Sequence, residues 1–475
     1  MRPDVSQLPK TRPMYSPRLA FNYDVFGDAT LQVRGGSGFF SGRIPFVWIS
    51  NQVSANGVTR GLVGWTNEGT YDNEGNLIDG FGVNGVAPWN GFQPDPNYYK
   101  PSPEFLDAQV SRDINITDPN LRFPQVWRTN LAADYRMPNG IIATLEGIYN
   151  KDYFSPLAMN INLATPAGFF SGADPRPYFT SYTKDPRFNE VMLLTNTNKG
   201  YYASVTAQLQ RQFGDNAYAS IAYTRSVSKD YGLIGGSQAA SLWPNEVAAD
   251  RNNPEMGYSR FDQPNRIVSY VSYSTQELVP RAPTTVSVYY SGGEAGRFSY
   301  VYAGNFGDRA ARLMYIPRSP DEIQFVPVTI AGVDYTPEQQ WVILDQYIRQ
   351  DTYLSENRGQ VAERNGGILP WLHRFDVRVA QDVYVARLPE RYKVQITVDV
   401  LNFGNMLNNE WGVQQTTWQR SPLTYAGRDA ETNMPTYRLT RVTGGPDGEI
   451  PSETYRSIFN LNQTWSAQVG VRLSF

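Results

Sequence analysis

At the end of the chain Trp465, Ala467, Val469, Val471, Leu473 and Phe475 alternate with Thr464, Ser466, Gln468, Gly470, Arg472 and Ser474. Successive side chains of a strand point to opposite faces, so this period of two predicts a strand with one face in an apolar medium and the other in water. A soluble sandwich produces the same period, but its edge strands are usually short and a chain seldom stops on its last core residue. The pattern recurs upstream. Tyr392, Val394, Ile396, Val398 and Val400 alternate with Lys393, Gln395, Thr397 and Asp399, and Phe375, Val377 and Val379 interleave with Arg374, Asp376 and Arg378. Ala203, Val205, Ala207 and Leu209 alternate with Ser204, Thr206, Gln208 and Gln210, and Leu19, Phe21 and Tyr23 with Arg18, Ala20 and Asn22. Weaker versions run from Leu131 to Tyr135, Ile141 to Tyr149, Ala217 to Tyr223, Ile267 to Tyr273 and Thr285 to Tyr290, where Ile148 and Ser269 break the alternation.

The connections fall into two classes that alternate along the chain. Short ones include Phe26-Gly27-Asp28, Pro138-Asn139-Gly140 and Gly214-Asp215-Asn216, and long ones lie near residues 42–120, 156–199, 231–263, 292–369 and 408–462. Connections of that length are abnormal inside a compact soluble domain. Bacterial outer-membrane barrels place short turns on the periplasmic side and long loops outside, so the spacing predicts an all-β, transmembrane antiparallel β-barrel. Its loops are then extracellular and Phe475 lies at the periplasmic rim. The count is about eleven strands, an odd number, whereas closed single-chain bacterial barrels use an even one. Edges left unpaired in lipid expose backbone N–H and C=O groups at several kcal/mol each, so the expectation is an upstream half that completes the cylinder. Inside one long loop, Thr336-Pro337-Glu338-Gln339 reads as a helix start, and Trp341, Leu344, Tyr347 and Ile348 follow at helical spacing. That predicts a short amphipathic helix.

Composition removes the rivals. With 475 residues, 41% hydrophobic and 18% charged, the chain is too large for one ordinary core and not polar enough for disorder. Mean hydropathy is −0.45, and no run approaches the roughly 18 apolar residues of a spanning helix, which excludes a helical membrane protein. A barrel escapes that test because only every second side chain faces lipid. There is no cysteine, hence no disulfide framework or thiolate metal site. The net charge of −3, with arginines scattered along the chain, leaves no electrostatic footprint for nucleic acid. The opening stretch from Met1 to Pro9 lacks the apolar core of a secretory signal, so an exported protein would begin upstream of it.

Arg18, Arg34, Asp134, Glu146, Arg374, Asp376, Arg378, Lys393, Asp399 and Arg472 share the water-facing register and are the candidate lumen lining. Facing inward they either pair with a plug domain or pair with one another across strands. The long loops carry Trp48, Trp65, Trp89, Trp243, Trp411 and Trp418, with Tyr98, Tyr99, Phe169 and Phe170, which are candidate ligand contacts or loop-to-loop packing. The single histidine, His373, shares the register of Phe375 and is expected toward lipid near a rim. Gly35-Gly36-Ser37-Gly38 lies within a strand and marks a bend in place of a nucleophile turn. Asp72-Asn73-Glu74-Gly75-Asn76 lacks the ligand periodicity of a calcium loop and reads as a polar turn. No acid/base constellation converges, so neither enzymatic activity nor a cofactor or metal is expected.

Several phrases are more specific. Tyr15-Ser16-Pro17-Arg18 leads into Leu31-Gln32-Val33-Arg34-Gly35-Gly36-Ser37-Gly38, then Pro45-Phe46-Val47-Trp48-Ile49-Ser50-Asn51-Gln52. Gly236-Ser237-Gln238-Ala239-Ala240-Ser241, Glu363-Arg364-Asn365-Gly366, His373-Arg374-Phe375-Asp376 and Val400-Leu401-Asn402-Phe403-Gly404-Asn405-Met406-Leu407-Asn408 follow, and Gln468 to Phe475 closes the set. At these residues the whole chain, 1–475, resembles the C-terminal half of the barrel of TonB-dependent receptors, in the Oar-like branch found especially among Bacteroidota. The resemblance implies a barrel of about 22 strands, preceded by a plug, a TonB box and a carboxypeptidase-regulatory-like domain, none of which is in this sequence. It implies an outer-membrane receptor taking up a bulky nutrient. The implied partners are outer-membrane lipid, the N-terminal half with its plug, the TonB complex, an unidentified imported ligand, and the barrel-assembly machinery reading Phe475 as a terminal signal. The alternative is a structural or adhesion-type barrel whose loops hold partner proteins.

Overall fold

The computed structural model describes residues 5–56, 64–66, 69–71, 113–232, 236, 238–244, 247–275, 279, 282–304, 312–384, 392–442 and 450–475. Its main feature is an antiparallel wall. The wall strands are β1 (Arg18–Asp24), β2 (Leu31–Ser41), β3 (Gln125–Arg136), β4 (Ile142–Asn160), β5 (Tyr201–Phe213) and β6 (Ala217–Asp230), followed by β7 (Asn265–Ser274), β8 (Thr284–Glu294), β9 (Trp371–Tyr384), β10 (Lys393–Leu401) and β11 (Ser466–Ser474). Each pairs with its neighbours in chain order, from β1 at one edge to β11 at the other. Among the described residues β1 and β11 are each paired on one side, so the sheet is open in this structure.

Register makes the alternation a property of the whole wall. Phe21 pairs with Gly35, Gly35 with Leu131, Leu131 with Gly147 and Gly147 with Val205, all on the apolar face. Asn22, Arg34, Ala132, Glu146 and Thr206 form the adjacent row on the polar face. The apolar row is uncovered: Leu19 is 77% exposed, Leu145 58%, Val205 54% and Val471 69%. Burying one such side chain is worth about 1.5–3 kcal/mol relative to water, so a band of this length requires an apolar surrounding medium. The polar face is the tighter one, with Ala132, Ser204, Ser226, Ser287 and Thr397 buried among their neighbours.

Two local devices hold the strands. In the β3–β4 turn Gly140 takes a φ of 78°, and its N–H donates to the Met137 carbonyl while the Met137 N–H donates to Ile141. In β2 a Cβ on Gly35 would stand 2.9 Å from the Asn130 carbonyl and 2.9 Å from the Phe21 ring, so the ring of β1 lies over a position that must lack a side chain.

The long connections form a second layer at one end of the wall. β4 runs on to Asn160, past the expected loop start near 156, because its last residues pair with the strand Glu190–Thr197, which in turn pairs in parallel with Asp113–Thr117. Helix α1 (Phe46–Ser54) and the short α2 (Ala239–Leu242) pack here. Neither was foreseen. The expected helix is α3 (Pro337–Gln350), followed by α4 (Thr352–Glu356). Thr336 caps α3 in a reciprocal box with Gln339, Pro337 opens it, and Leu344, Tyr347 and Ile348 are its buried face.

Candidate functional site

On the polar face the charged residues meet across strands. Arg34 Nε lies 3.0 Å from Asp134 Oδ2 and its Nη1 3.8 Å from Glu146, which joins β2, β3 and β4. Thr144 Oγ1 donates to the other oxygen of Asp134 at 2.6 Å. Arg378 faces Asp399 directly in register, 3.6 Å apart, and Lys393 Nζ lies 2.8 Å from Asp382. Arg374 donates to the Asn462 carbonyl and the Gln463 side chain, while Asp376 accepts the Asn402 N–H at 2.7 Å. Arg18 lies 4.3 Å from the centroid of the Phe40 ring, and Arg472 stands opposite Gln395. All ten candidate lining residues therefore occupy one face, and six of them pair with carboxylates or cations across strands. The Arg34 side chain is 41% exposed and that of Arg378 53%. Pairs this wet are worth about 0.2–1 kcal/mol each. They do not hold the wall together and are easily exchanged for contacts to something seated against it.

The loop layer is built differently. Phe298, Tyr300, Met314, Ile316, Leu344 and Tyr347 share one core with Phe170, Leu423 and Tyr437, which come from two other long loops. A second core joins Ile44, Trp48 and Leu121 to Met192, Leu194, Leu242 and Trp243. Two ion pairs inside this layer are dry on both sides. Asp174 and Arg176 meet at 2.8 Å with both side chains 5% exposed, and the Tyr302 and Tyr437 hydroxyls donate to the same carboxylate. Burial, reinforced by Asp174, raises both phenols above the ordinary tyrosine range, so they stay protonated donors. Arg297 and Asp262 meet at 2.6 Å, also buried, with the guanidinium 3.7 Å from the Tyr258 ring centroid. That pair ties the loop before β9 to the loop before β7. Nearby, a cavity of about 340 Å³ is lined by Asp230, Arg260, Arg297, Arg364 and Arg420, giving the layer a basic recess.

The loop tryptophans separate into three groups. Trp48 and Trp243 are each 2% exposed, with their indole N–H groups donating to the Gly236 carbonyl and to Asn252. Of the two roles expected for the loop aromatics, these two rings take loop-to-loop packing and are not exposed for ligand contact. Trp411 is 56% exposed, and Trp418 is half-buried with the Arg456 guanidinium 3.6 Å from its ring centroid, so these two remain available at the surface. Phe169 is exposed beside the buried Phe170. The Trp65 side chain, Trp89, Tyr98, Tyr99 and the turn at 72–76 lie outside the described residues. His373 is on the apolar face at the loop end of β9, 2.7 Å from the Tyr290 hydroxyl and stacked on Trp371. It belongs to a rim of aromatic side chains. Phe475 follows β11, fully displayed at the turn end. The buried polar pairs and the basic recess escaped sequence reasoning, since their members come from loops far apart and carry no period.

A family model described as an outer membrane beta barrel domain matches residues 6–421. No curated protein sequence matches the chain. Among solved structures, the outer membrane transporter YddB from Escherichia coli is 11% identical with a TM-score of 0.41, covering 97% of this chain and 40% of that one. The siderophore receptor PirA from Acinetobacter baumannii is 10% identical with a TM-score of 0.36, covering 82% and 37%. A mutant of the ferric enterobactin receptor PfeA from Pseudomonas aeruginosa is 8% identical with a TM-score of 0.34, covering 82% and 34%. The chain thus spans no more than 40% of the length of these structures.

Proposed function

Since the chain belongs to the outer membrane β-barrel domain family, whose model covers residues 6–421, we propose that it is part of a TonB-dependent receptor of the Oar-like kind. In this reading it contributes to the import of a bulky nutrient across the bacterial outer membrane. The loop layer faces the exterior and captures the nutrient. The polar face lines the lumen and seats a plug supplied by an N-terminal half, and the turn end with Phe475 faces the periplasm. Energy comes from the TonB system through that plug. The protein performs no chemistry of its own on the nutrient. One observation carries the reading: a wall apolar and uncovered on one face, lined on the other by weak, exchangeable ion pairs such as Arg34–Asp134 and Arg378–Asp399. The test is energised uptake by the full-length receptor. Deleting the plug or TonB box abolishes it in this account, and retained uptake refutes the account.

A second reading is favoured by the loop layer, whose own cores and buried ion pairs make it rigid enough to scaffold partner proteins. Loop deletion that breaks a copurifying complex while leaving uptake intact selects this reading.

A further inference from the structure

Several cations of the polar face meet a carboxylate, but one row holds two that do not. Arg18 stands opposite Gly38, Gly38 opposite Arg128 and Arg128 opposite Asn150, across β1 to β4. The next row toward the turns carries Ala20, Gly36, Asn130 and Ile148, so no carboxylate adjoins from that side. The next row toward the loops carries Phe40, Val126 and Asp152. Asp152 is the member farthest from Arg18, and its carboxylate lies beside Gly200 at the start of β5. Among the described residues neither Arg18 nor Arg128 is in an ion pair, and both are exposed.

These two cations converge. The Arg18 guanidinium lies 4.3 Å and that of Arg128 5.4 Å from the centroid of the same Phe40 ring. Gly38 makes room for this: a Cβ there would stand 2.9 Å from Arg18 Cγ, so the Arg18 stem crosses the place where a side chain would be. Arg18 thereby leans from the edge strand toward β2 and away from the open edge. Arg128 is steadied from the other side, its Nε donating to Asn150 Oδ1 at 3.1 Å. Like charges gathered at one ring repel, and a guanidinium held over an aromatic face keeps N–H groups at its edge for an oxyanion. The row is the fourth rung from the loop end of the β2–β3 ladder, at the upper end of the polar face.

We infer that Arg18 and Arg128, backed by Phe40 over Gly38, clamp an oxyanion group of the nutrient, phosphate or carboxylate, as it passes from the loop layer into the lumen. The inference names the ligand's chemistry within the transport reading and rests on that reading. Arg34, Arg378 and Lys393 differ, because the wall itself supplies their carboxylates. An incoming oxyanion must displace a partner there, whereas at Arg18 and Arg128 it meets charge that the wall leaves uncompensated. Two exposed guanidiniums suit a relay that holds an anion at about millimolar strength and lets it go.

The full-length protein in detergent is treated with phenylglyoxal, which modifies accessible guanidiniums, and each arginine is read by peptide mass spectrometry. Inorganic phosphate and citrate are the two probes, with ionic strength matched by sodium chloride. At least one is expected to slow labelling of Arg18 and Arg128 together by about tenfold, and the one that does so assigns the group as phosphoryl or carboxylate. Arg136, exposed on the same face of β3 at the turn end, is the control and is expected unchanged. Arg128→Gln is expected to remove the protection of Arg18 with an unchanged unfolding midpoint. Labelling of the two arginines untouched by both anions overturns the proposal. Resistance of both to the label before any anion is added also overturns it, since a carboxylate fixed in the protein then fills the clamp. Protection of Arg18 that survives Arg128→Gln refutes the shared site. Labelling needs no energised uptake, so its failure leaves the transport reading standing.

Discussion

Leu145→Arg distinguishes a wall in lipid from a wall in water. Leu145 is on the apolar face of β4, between Ala133 of β3 and Ala207 of β5, and is 58% exposed. The β4–β5 ladder holds ten rungs, from Ile142 opposite Gln210 to Lys151 opposite Tyr201. At about 3.3 Å per residue and a tilt of about 40° those rungs climb roughly 25 Å, the height of an outer-membrane apolar band. Leu145 is the fourth rung from the turn end, well inside that band. In water an exposed leucine exchanged for arginine changes stability by no more than about 0.5 kcal/mol. In lipid the same change costs about 2–4 kcal/mol near the midplane. Gln208→Arg, one rung away on the polar face, is the control and is expected within about 1 kcal/mol of wild type in either medium. The assay is reversible urea unfolding from lipid vesicles, followed by tryptophan fluorescence. A Leu145→Arg protein as stable as the Gln208→Arg control refutes the assignment of faces.

Three further outcomes follow from the loop layer. Asp262→Ala strands the buried Arg297 guanidinium, and also removes the acceptor for the Ser228 N–H; a loss of about 3–5 kcal/mol is expected, seen as faster protease cleavage of the loops with the wall intact. Trp243→Ala costs about 3–5 kcal/mol in the same assay, whereas the exposed Trp411→Ala costs within about 0.5 kcal/mol and, in the transport reading, weakens nutrient binding. Burial pushes the Tyr353 phenol up to about 12, while an unfolded tyrosine ionises near 10. The folded layer therefore holds that proton more tightly, and its contribution is present below about pH 10 and lost as pH rises toward about 12. Phenolate absorbance titrated alongside loop proteolysis checks this.

How much was legible divides along the same line as the two layers. The wall was readable because its period of two is enforced by media on either side: every strand expected from alternation is a wall strand, down to the weak segment broken at Ser269, which register places on the apolar face beside Tyr290 and Phe375. The rotation of Arg34, Asp134 and Glu146 to a common face followed from the same rule. The α3 helix was readable because its cap, Thr336 with Gln339, is local. What stayed hidden is non-local. Trp48 and Trp411 look alike in sequence, yet one is packed by Met192 and Leu242 from other loops and the other is in solvent. Asp262 and Arg297 are in different connections, and only the fold makes them neighbours. Helix α1 follows Pro45 and has neither a side-chain cap nor an acidic first turn, so it lacked a start signal and owes its form to the burial of Trp48 and Gln52.

The central claim is that the wall divides lipid from water, and the absence of cysteine makes it directly measurable, since each introduced cysteine carries a unique spin label. The measurement is a scan of β5 from Ala203 to Gln210 in bilayers, reading label accessibility to oxygen and to a water-soluble paramagnet. The account predicts oxygen access at Ala203, Val205, Ala207 and Leu209, alternating with aqueous access at Ser204, Thr206, Gln208 and Gln210. Aqueous access at every position, or an apolar row closed to both reagents, contradicts it.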